Sequence, residues 1–237
     1  MGGKEVLKGV NLKIQSGELM VIIGGSGAGK TVLLKHVIGF FKPDAGDVKI
    51  NGFSVPGANQ KELYRIRKDF GMLFQTAALL QSLTIAENLS LPLKEHTSLS
   101  REEIDRIVTE RLHWVKLFNV ENNIPANLSV GMMKRAGLAR ALVRDPKIVL
   151  FDEPTTGLDP VLSSTIGQLI IDLHDRLKFT SIAVTHDMNL AYMIANRIAM
   201  LHQGLIVEVG TPEEIRSSTN PVVQQFIRGM PEILNNN

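Results

Sequence analysis

The sequence contains no cysteine and has few aromatic residues, with one Trp and two Tyr. Without cysteine, the chain can form neither disulfides nor thiolate metal sites. No apolar run approaches the roughly 18 residues that a membrane-spanning helix needs. The first residues, MGGKEVLKGV, lack the apolar stretch of a secretion signal. These absences argue against a secreted or membrane-spanning chain and predict a cytoplasmic one.

Charge is almost balanced, because 26 Lys and Arg stand against 24 Asp and Glu, which gives a net charge of +2. Nucleic-acid-binding proteins usually carry a clear basic surplus. We therefore expect no nucleic-acid partner. The length of 237 residues suits one large domain, or one domain with a subdomain.

Strand and helix patterns alternate along much of the chain. The apolar run ELMVII (18–23) leads into the loop GGSGAGKT and then into a helical pattern. Asn51-Gly52 lies between two short alternating runs and predicts a hairpin, and residues 76–145 are mostly helical in pattern. Further strand patterns lie at 70–74, 147–151, 180–185 and 197–201. Such alternation predicts an α/β fold with a parallel sheet and a small antiparallel β piece.

A capped amphipathic helix is predicted in SREEIDRIVTERLHWVKLF (100–118). Ser100 and Glu103 have the spacing of a capping box. Trp114 is expected near the apolar stripe of this helix rather than in a ligand site. That stripe comprises Ile104, Ile107, Val108, Leu112, Val115 and Phe118.

The strongest motif is a phosphate-binding loop that satisfies G-x-x-x-x-G-K-[ST] in full. Its glycines let backbone N–H groups turn inward around a phosphate, while Lys30 reaches the outer phosphates and Thr31 can bind Mg²⁺. The preceding strand and the following helix are the context that this motif requires. Its residues are Gly24, Gly25, Ser26, Gly27, Ala28, Gly29, Lys30 and Thr31.

Two further apolar strands end in groups suited to phosphate chemistry. IVLFDEP ends in Asp152 and Glu153, at the sheet edge where parallel α/β folds bind ligands. Asp152 is predicted to contact Mg²⁺ directly or through water, and Glu153 to orient or deprotonate the attacking water. His186 ends the strand of AVTHD, where it could contact a γ-phosphate.

The stretch NLSVGMMKRAGLARAL (127–142) has the pattern of a helix start that holds an anion. Asn127 or Ser129 can cap the helix, and Gly131 permits close approach to the backbone. Lys134 and Arg135 are expected to add positive charge. Taken alone, the stretch also fits an ordinary capped helix that binds nothing.

Together these motifs resemble a nucleotide-binding subunit of an ABC transporter over nearly the entire chain. The resemblance rests on GGSGAGKT, Gln75, LSVGM, IVLFDEP, GLD and the His186 strand, in this order. It implies ATP and Mg²⁺ as cofactors and ATP hydrolysis as the activity. It also implies a P-loop NTPase (RecA-like) core at 1–75 and 146–219, a helical ABC subdomain at 76–145 and a C-terminal extension at 220–237.

The resemblance also assigns roles to single residues. Ser129 and Gly131 would bind the γ-phosphate held by the P-loop of a second copy, so the anion expected at this helix is ATP on the partner chain. Gln75 would contact Mg²⁺ and sense the membrane subunit, and His186 would contact the γ-phosphate. The pair Gly157 and Asp159 would form the dimer contact at the bound nucleotide. Val130 stands where the family has its first signature Gly.

The segment LLQSLTIAENLSLPLKEHT and Met132 are similar to the ATPase subunits of Mla-type lipid transporters. These work beside a membrane permease and a lipid-binding MCE protein, so this chain is expected at the cytoplasmic face of the inner membrane. An ABC importer for a small polar solute is the alternative. A soluble ABC ATPase is disfavoured, since it would need a coiled-coil insert or two cassettes.

Two expectations concern particular segments. The apolar AALL (77–80) after Gln75 is expected to line the groove that receives a permease helix, or else to pack under the helical subdomain. Family members usually place a strand with an adenine-stacking aromatic residue ahead of EVLKGV, where this sequence has only Met1 to Lys4. We therefore expect the natural start to lie upstream of Met1.

Overall fold

A six-stranded sheet organises the fold of residues 5–230, the part of the chain that this computed structural model describes. Its strands are β1 Leu19–Ile23, β4 Phe70–Leu73, β5 Ile148–Asp152, β6 Thr180–Thr185, β7 Arg197–His202 and β8 Leu205–Gly210. The spatial order is β4-β5-β6-β1-β7-β8. All neighbours pair in parallel except β7 and β8, which are antiparallel. The predicted parallel sheet is therefore confirmed.

A separate two-stranded sheet contains β2 Lys49–Ile50 and β3 Phe53–Ser54, which pair antiparallel. Between them, Asn51 and Gly52 have φ angles of 50° and 85°. Asn and Gly tolerate this left-handed region well, and a two-residue hairpin turn of this kind needs it at both positions. The predicted hairpin is confirmed.

The helices flank the strands and fill the segment between β4 and β5. Three of them, with one short 3₁₀ helix at Pro125–Asn127, fall within the segment predicted to be mostly helical. The predicted limits of the core and the subdomain stay predictions. The α-helices are α1 Lys30–Val37, α2 Gln60–Lys68, α3 Ile85–His96, α4 Arg101–Trp114, α5 Val130–Leu142, α6 Pro160–Leu177, α7 Met188–Ile194, α8 Pro212–Arg216 and α9 Pro221–Ile227.

Strand β1 lies at the centre of the hydrophobic core, and all its residues are buried. Alternate side chains point to opposite faces of a strand. Met20 and Ile22 accordingly pack in one cluster with Leu34 of α1, while Leu19 and Val21 belong to the other cluster. A strand that is covered on both faces has apolar residues at successive positions of its sequence. The loop that follows β1 is therefore held on a rigid base.

Helix α4 begins with the predicted capping box, in which Ser100 N donates to Glu103 Oε2 at 2.7 Å and Glu103 N donates to Ser100 Oγ at 3.3 Å. The predicted stripe was wrong for Phe118, which is exposed. The helical period does not extend to this residue, because α4 ends at Trp114 and Lys116 has a φ of 56°.

Trp114 packs against the main core as predicted, and cations cover its ring. The guanidinium groups of Arg111 and Arg176 lie 3.8 Å and 4.1 Å from its ring centroid. Because Arg176 belongs to α6, this stack connects α4 to a helix of the sheet layer. Cation–π contacts contribute about 0.5–1 kcal/mol when exposed and about 2 kcal/mol or more when desolvated, and Arg111 is buried.

Within residues 5–230, the helices are too short or too polar for any of them to cross a membrane. The expected upstream start concerns Met1 to Lys4, which lie outside the described residues. The same holds for 231–237, the end of the predicted C-terminal extension.

Candidate nucleotide-binding site

The predicted phosphate-binding loop connects β1 to α1, at the carboxyl end of the parallel strands. At Gly24, a Cβ atom would lie 2.3 Å from the carbonyl oxygen of Leu201, so only glycine fits between the loop and β7. Gly27 and Gly29 have φ angles of +77° and +103°. These conformations favour glycine and let the loop curve back on itself.

Lys30 lies inside this curved loop. Its side chain is 8% exposed, and its Nζ atom donates to the carbonyl oxygens of Gly24 at 2.7 Å and Gly25 at 3.2 Å. Helix α1 begins directly after Gly29, with no side-chain cap and no acidic residue in its first turn. Free N–H groups at a helix start bind phosphate, and an acidic residue there would oppose it. The loop thus fits a phosphate group.

Beside the loop, Thr31 Oγ1 donates to Asp152 Oδ1 at 3.0 Å. Asp152 is 6% exposed, and burial is the main cause that raises the pKa of its carboxyl group, against the hydrogen bond from Thr31. Gln75 lies in the turn that follows β4, next to β5, which ends at Asp152. Hydroxyl, carboxylate and amide oxygens are donors that suit Mg²⁺. These three side chains thus have the chemistry that the predicted metal site requires.

The carboxylate of Glu153 lies between two cationic or potentially cationic groups. Its Oε1 atom is 3.4 Å from Lys30 Nζ, and its Oε2 atom is 2.9 Å from Nδ1 of His186. The hydroxyl of Thr156 donates to Oε2 at 3.2 Å. The Glu153 side chain is 12% exposed, whereas that of His186 is 61% exposed. The two predicted residues therefore meet at the rim of the loop, where a carboxylate could contact a water molecule.

Glu153 also has an unusual backbone, with a φ angle of 49°. Left-handed conformations of non-glycine residues cost on the order of 1–3 kcal/mol and persist when their surroundings hold them. The N–H group of Glu153 donates to Val184 of β6 at 2.9 Å. After this strained turn, the Glu153 carboxylate lies 3.4 Å from Lys30 Nζ.

Ser129 is the N-cap of α5, and its Oγ atom accepts a hydrogen bond from Met132 N at 3.3 Å. Ser129 and Val130 are both exposed, while Gly131 is buried. A Cβ atom at Gly131 would lie 3.5 Å from Leu162 of α6. Asp159 caps that helix through its Oδ1 atom, which accepts from Val161 N and Leu162 N. The starts of α5 and α6 therefore lie side by side, with the Ser129 end open to solvent.

Of the two positive charges predicted near the start of α5, that of Lys134 is buried. Lys134 is only 3% exposed, and its Nζ atom donates to the carbonyl oxygens of Gln75 and Glu153. Arg135 donates from NH1 to the carbonyl oxygen of Lys116 at 3.0 Å. The Lys134 ammonium group is therefore directed into its own chain, whereas Arg135 is half-buried and keeps its positive charge near the first turns of α5.

Fold and site together define a P-loop nucleotide-binding protein. The family model for the ABC transporter matches residues 7–156. The Mycobacterium leprae "Probable ribonucleotide transport ATP-binding protein mkl" is 43% identical over 228 residues, which cover 96% of this chain and 66% of that protein. The chain thus spans about two thirds of the length of this relative.

Two further similarities cover more of the matched protein. The Haemophilus influenzae "Intermembrane phospholipid transport system ATP-binding protein MlaF" is 37% identical over 228 residues, covering 96% of this chain and 86% of that protein. A solved dimeric structure of the ATP-binding cassette MJ0796, bound to ADP and Pi, is 35% identical and superposes with a TM-score of 0.81. It covers 90% of this chain and 94% of the solved one. The chain belongs to the ABC transporter family.

Proposed function

We propose that this chain hydrolyses MgATP to drive a transporter that moves phospholipid between membranes. The observation that carries the hydrolytic part is the Glu153 carboxylate, which lies between Lys30 and His186 at the rim of the phosphate-binding loop. A carboxylate in this position can accept a hydrogen bond from water. The two neighbouring groups can neutralise phosphate charge.

The side chains of the site have different roles in this proposal. Lys30 binds the outer phosphates, for which its Nζ atom gives up contacts with Gly24 and Gly25. Glu153 orients the attacking water and accepts its proton, while His186 holds the carboxylate and contacts the γ-phosphate. Thr31, Asp152 and Gln75 would hold Mg²⁺, which supplies charge neutralisation at the phosphate oxygens.

We further propose that two copies form each site. In one chain, the N-terminus of α5 is open to solvent at Ser129 and Val130. An exposed helix start with a hydroxyl N-cap suits a phosphate from outside the chain. In a two-fold dimer, Ser129 and Gly131 of one copy face Lys30 of the other. Asp159, at the neighbouring start of α6, contributes to the same contact.

Phospholipid is the proposed cargo, supported by the similarity to the MlaF protein over 86% of its length. A membrane permease and an MCE-type lipid-binding protein are the proposed partners. The permease would hold the chain at the cytoplasmic face of the inner membrane. The second candidate is import of a small polar solute, favoured by the mycobacterial relative that is named for ribonucleotide transport.

Purification of the chain with its native membrane partners tests the cargo. We expect phospholipid and an MCE-type protein in the complex, identified by mass spectrometry. A complex that contains a soluble solute-binding protein and no specific lipid would favour the second candidate. An ATP-binding chain that brings down no membrane protein would contradict both.

The surface for the permease is proposed to include Leu80. The sequence left two alternatives for residues 77–80, a groove for a permease helix or packing under the helical subdomain. Ala77 and Leu79 are buried in the main core, whereas Leu80 is 46% exposed. Its backbone is fixed by Asn88, whose Oδ1 atom accepts from Leu80 N at 2.8 Å and whose Nδ2 atom donates to Leu80 O at 3.1 Å. Leu80 is thus an exposed apolar side chain whose backbone is held by Asn88, five residues after Gln75 in the chain.

Charged substitutions at these neighbours should have different effects. We expect Leu80→Asp to fold like the wild type and to lose most of its co-purification with the permease. Leu79→Asp should unfold or aggregate, because a charge buried without a partner costs several kcal/mol. Thermal unfolding and affinity purification from membranes measure the two effects. A folded Leu80→Asp chain that retains the permease would remove Leu80 from the proposed surface.

A further inference from the structure

Lys134 connects three of the site's elements through one buried ammonium group. It lies on α5, the helix that Ser129 caps. Its Nζ atom donates to the carbonyl oxygen of Gln75 at 2.5 Å and to that of Glu153 at 3.2 Å. Burial lowers the pKa of Lys134, and the nearby charges of Glu153 and Asp152 oppose that shift. A cation is kept in a buried position where it contacts two residues of the proposed catalytic machinery.

The two carbonyl groups belong to equivalent positions of neighbouring strands. The last paired residues of β4 and β5 are Leu73 and Phe151 in the register of this ladder. Gln75 and Glu153 each lie two residues beyond them. Here the strands have separated, because Gln75 is in a turn and Glu153 has left-handed φ. Both carbonyl groups have left the β4–β5 ladder and accept hydrogen bonds from Lys134 instead.

We propose that Lys134 is a positioning residue for ATP hydrolysis, which sets the backbones of Gln75 and Glu153 relative to each other and to the start of α5. The inference rests on the proposed function of these two residues. The side chain of Gln75 is assigned to Mg²⁺ and that of Glu153 to the attacking water. One ammonium group therefore fixes the backbone from which both side chains extend, and it holds the strained turn at Glu153.

The same contacts link the site to α5. Ser129, at the start of that helix, is proposed to meet the nucleotide of the second copy. A shift of α5 moves Lys134 with it, and the carbonyl groups of Gln75 and Glu153 must follow or lose their donor. Loss of a donor costs about 1–3 kcal/mol at a fully buried carbonyl group and less at these two, whose hydrogen bonds are partly buried. Closure of the dimer onto α5 would thereby shift the backbones of Gln75 and Glu153, whose side chains are assigned to the metal and to water.

Replacement of Lys134 by methionine, which keeps the length and removes the donors, tests this role in the full chain. Loss of a hydrogen bond that holds a metal-binding residue in place usually lowers metal affinity or activity about 10- to 100-fold. We expect kcat to fall by this factor. We also expect Mg²⁺ to increase the affinity for ATP less than in the wild type, by the same factor, as measured by calorimetry with ATP in EDTA and in Mg²⁺. Affinity for ATP in EDTA should stay near wild type, because the phosphate-binding loop is untouched.

A second variant at the same position separates donors from charge. Lys134→Gln keeps two N–H donors on a shorter, neutral side chain that cannot hold both carbonyl groups equally well. Its kcat and its Mg²⁺-dependent gain should fall between those of wild type and Lys134→Met. This variant also decides the matter if the methionine variant does not fold. Wild-type values for the glutamine variant would then contradict the proposal.

Arg140 offers a matched control on the same helix. Its guanidinium group donates to the carbonyl oxygens of Ala78 at 2.7 Å and Ala77 at 3.0 Å, in the turn that follows Gln75. Arg140→Met therefore removes two cation–carbonyl contacts from the same segment but none from Gln75 or Glu153. We expect it to lower the unfolding temperature and to leave kcat and the Mg²⁺-dependent gain unchanged.

The outcomes separate the two proposals. If Lys134→Met and Arg140→Met both lower only the unfolding temperature, Lys134 is structural and the inference is wrong, while the proposed function stands. If the wild-type chain shows neither ATP hydrolysis nor a Mg²⁺-dependent gain in ATP affinity, the proposed function fails first, and the positioning role fails with it.

Discussion

Replacement of Glu153 by glutamine is expected to lower ATP turnover by about 10²- to 10⁴-fold, the usual cost of removing a positioned general base. The side chain lies 3.4 Å from Lys30 Nζ and 2.9 Å from His186 Nδ1, so glutamine keeps the size but cannot accept a proton from water. MgATP should still bind, because the phosphate-binding loop is unchanged. Steady-state hydrolysis and nucleotide binding measure the two quantities separately.

Slow hydrolysis should also hold the dimer in its closed state. In size-exclusion chromatography with MgATP, Glu153→Gln is expected to elute as a stable larger species, whereas the wild type returns to monomer as it turns over. Glu95→Gln, at the exposed end of α3, makes the same chemical change elsewhere and should behave like the wild type. ATPase activity close to normal in Glu153→Gln would refute the assigned role.

Much of the sheet could be predicted from sequence because its strands are apolar and buried. Strand β1 was predicted from a continuous apolar run. That run is explained by the two core clusters that cover both faces of the strand. Helix α2 carries no buried residue, and its half-buried apolar side has only Leu63 and Ile66, which is too short a pattern to identify a helix. The short helices α8 and α9 likewise offer too few residues for a periodic pattern. Short or mostly polar helices of this kind lack the apolar periodicity that prediction from sequence requires.

The phosphate-binding side of the site was predictable for a different reason. Gly24, Lys30 and Thr31 lie in one short loop, so sequence spacing fixes their geometry directly. Asp152 and Glu153 follow from the rule that parallel sheets bind ligands at the carboxyl ends of their strands. The left-handed backbone of Glu153 has no sequence signal, because glutamate seldom adopts it.

The role of Lys134 could not be predicted from spacing. A lysine near a helix start indicates an exposed charge, and this side chain instead crosses to Gln75 and Glu153. Those partners are distant in sequence and meet only through the β4–β5 pairing. Exposure was likewise unpredictable at Leu79 and Leu80, where one leucine faces the core and its neighbour faces solvent.

Two inactive variants are expected to recover activity when they are mixed. Ser129→Arg puts bulk and charge at the exposed start of α5, and Lys30→Ala removes the ammonium group from the phosphate-binding loop. Each should be inactive as a homodimer. In a mixed dimer with sites formed between chains, one site carries both defects and the other has an intact loop and an intact α5 start. Each mixed dimer then has one intact site of two, and ATPase activity should return in part.

The control variant for the arginine substitution is Ser100→Arg, because Ser100 is the N-cap of α4 in the way that Ser129 is the N-cap of α5. Both changes remove a cap worth about 0.5–2 kcal/mol, but only Ser129 is assigned to the nucleotide, so Ser100→Arg should stay active as a homodimer. If Ser129 served its own chain's ATP, each site of the mixed dimer would keep one defect and no activity would return. Strict coupling between sites would also block turnover, and nucleotide binding separates the two cases. A mixed dimer with one intact composite site should bind one MgATP tightly, whereas sites formed within single chains predict that neither is restored.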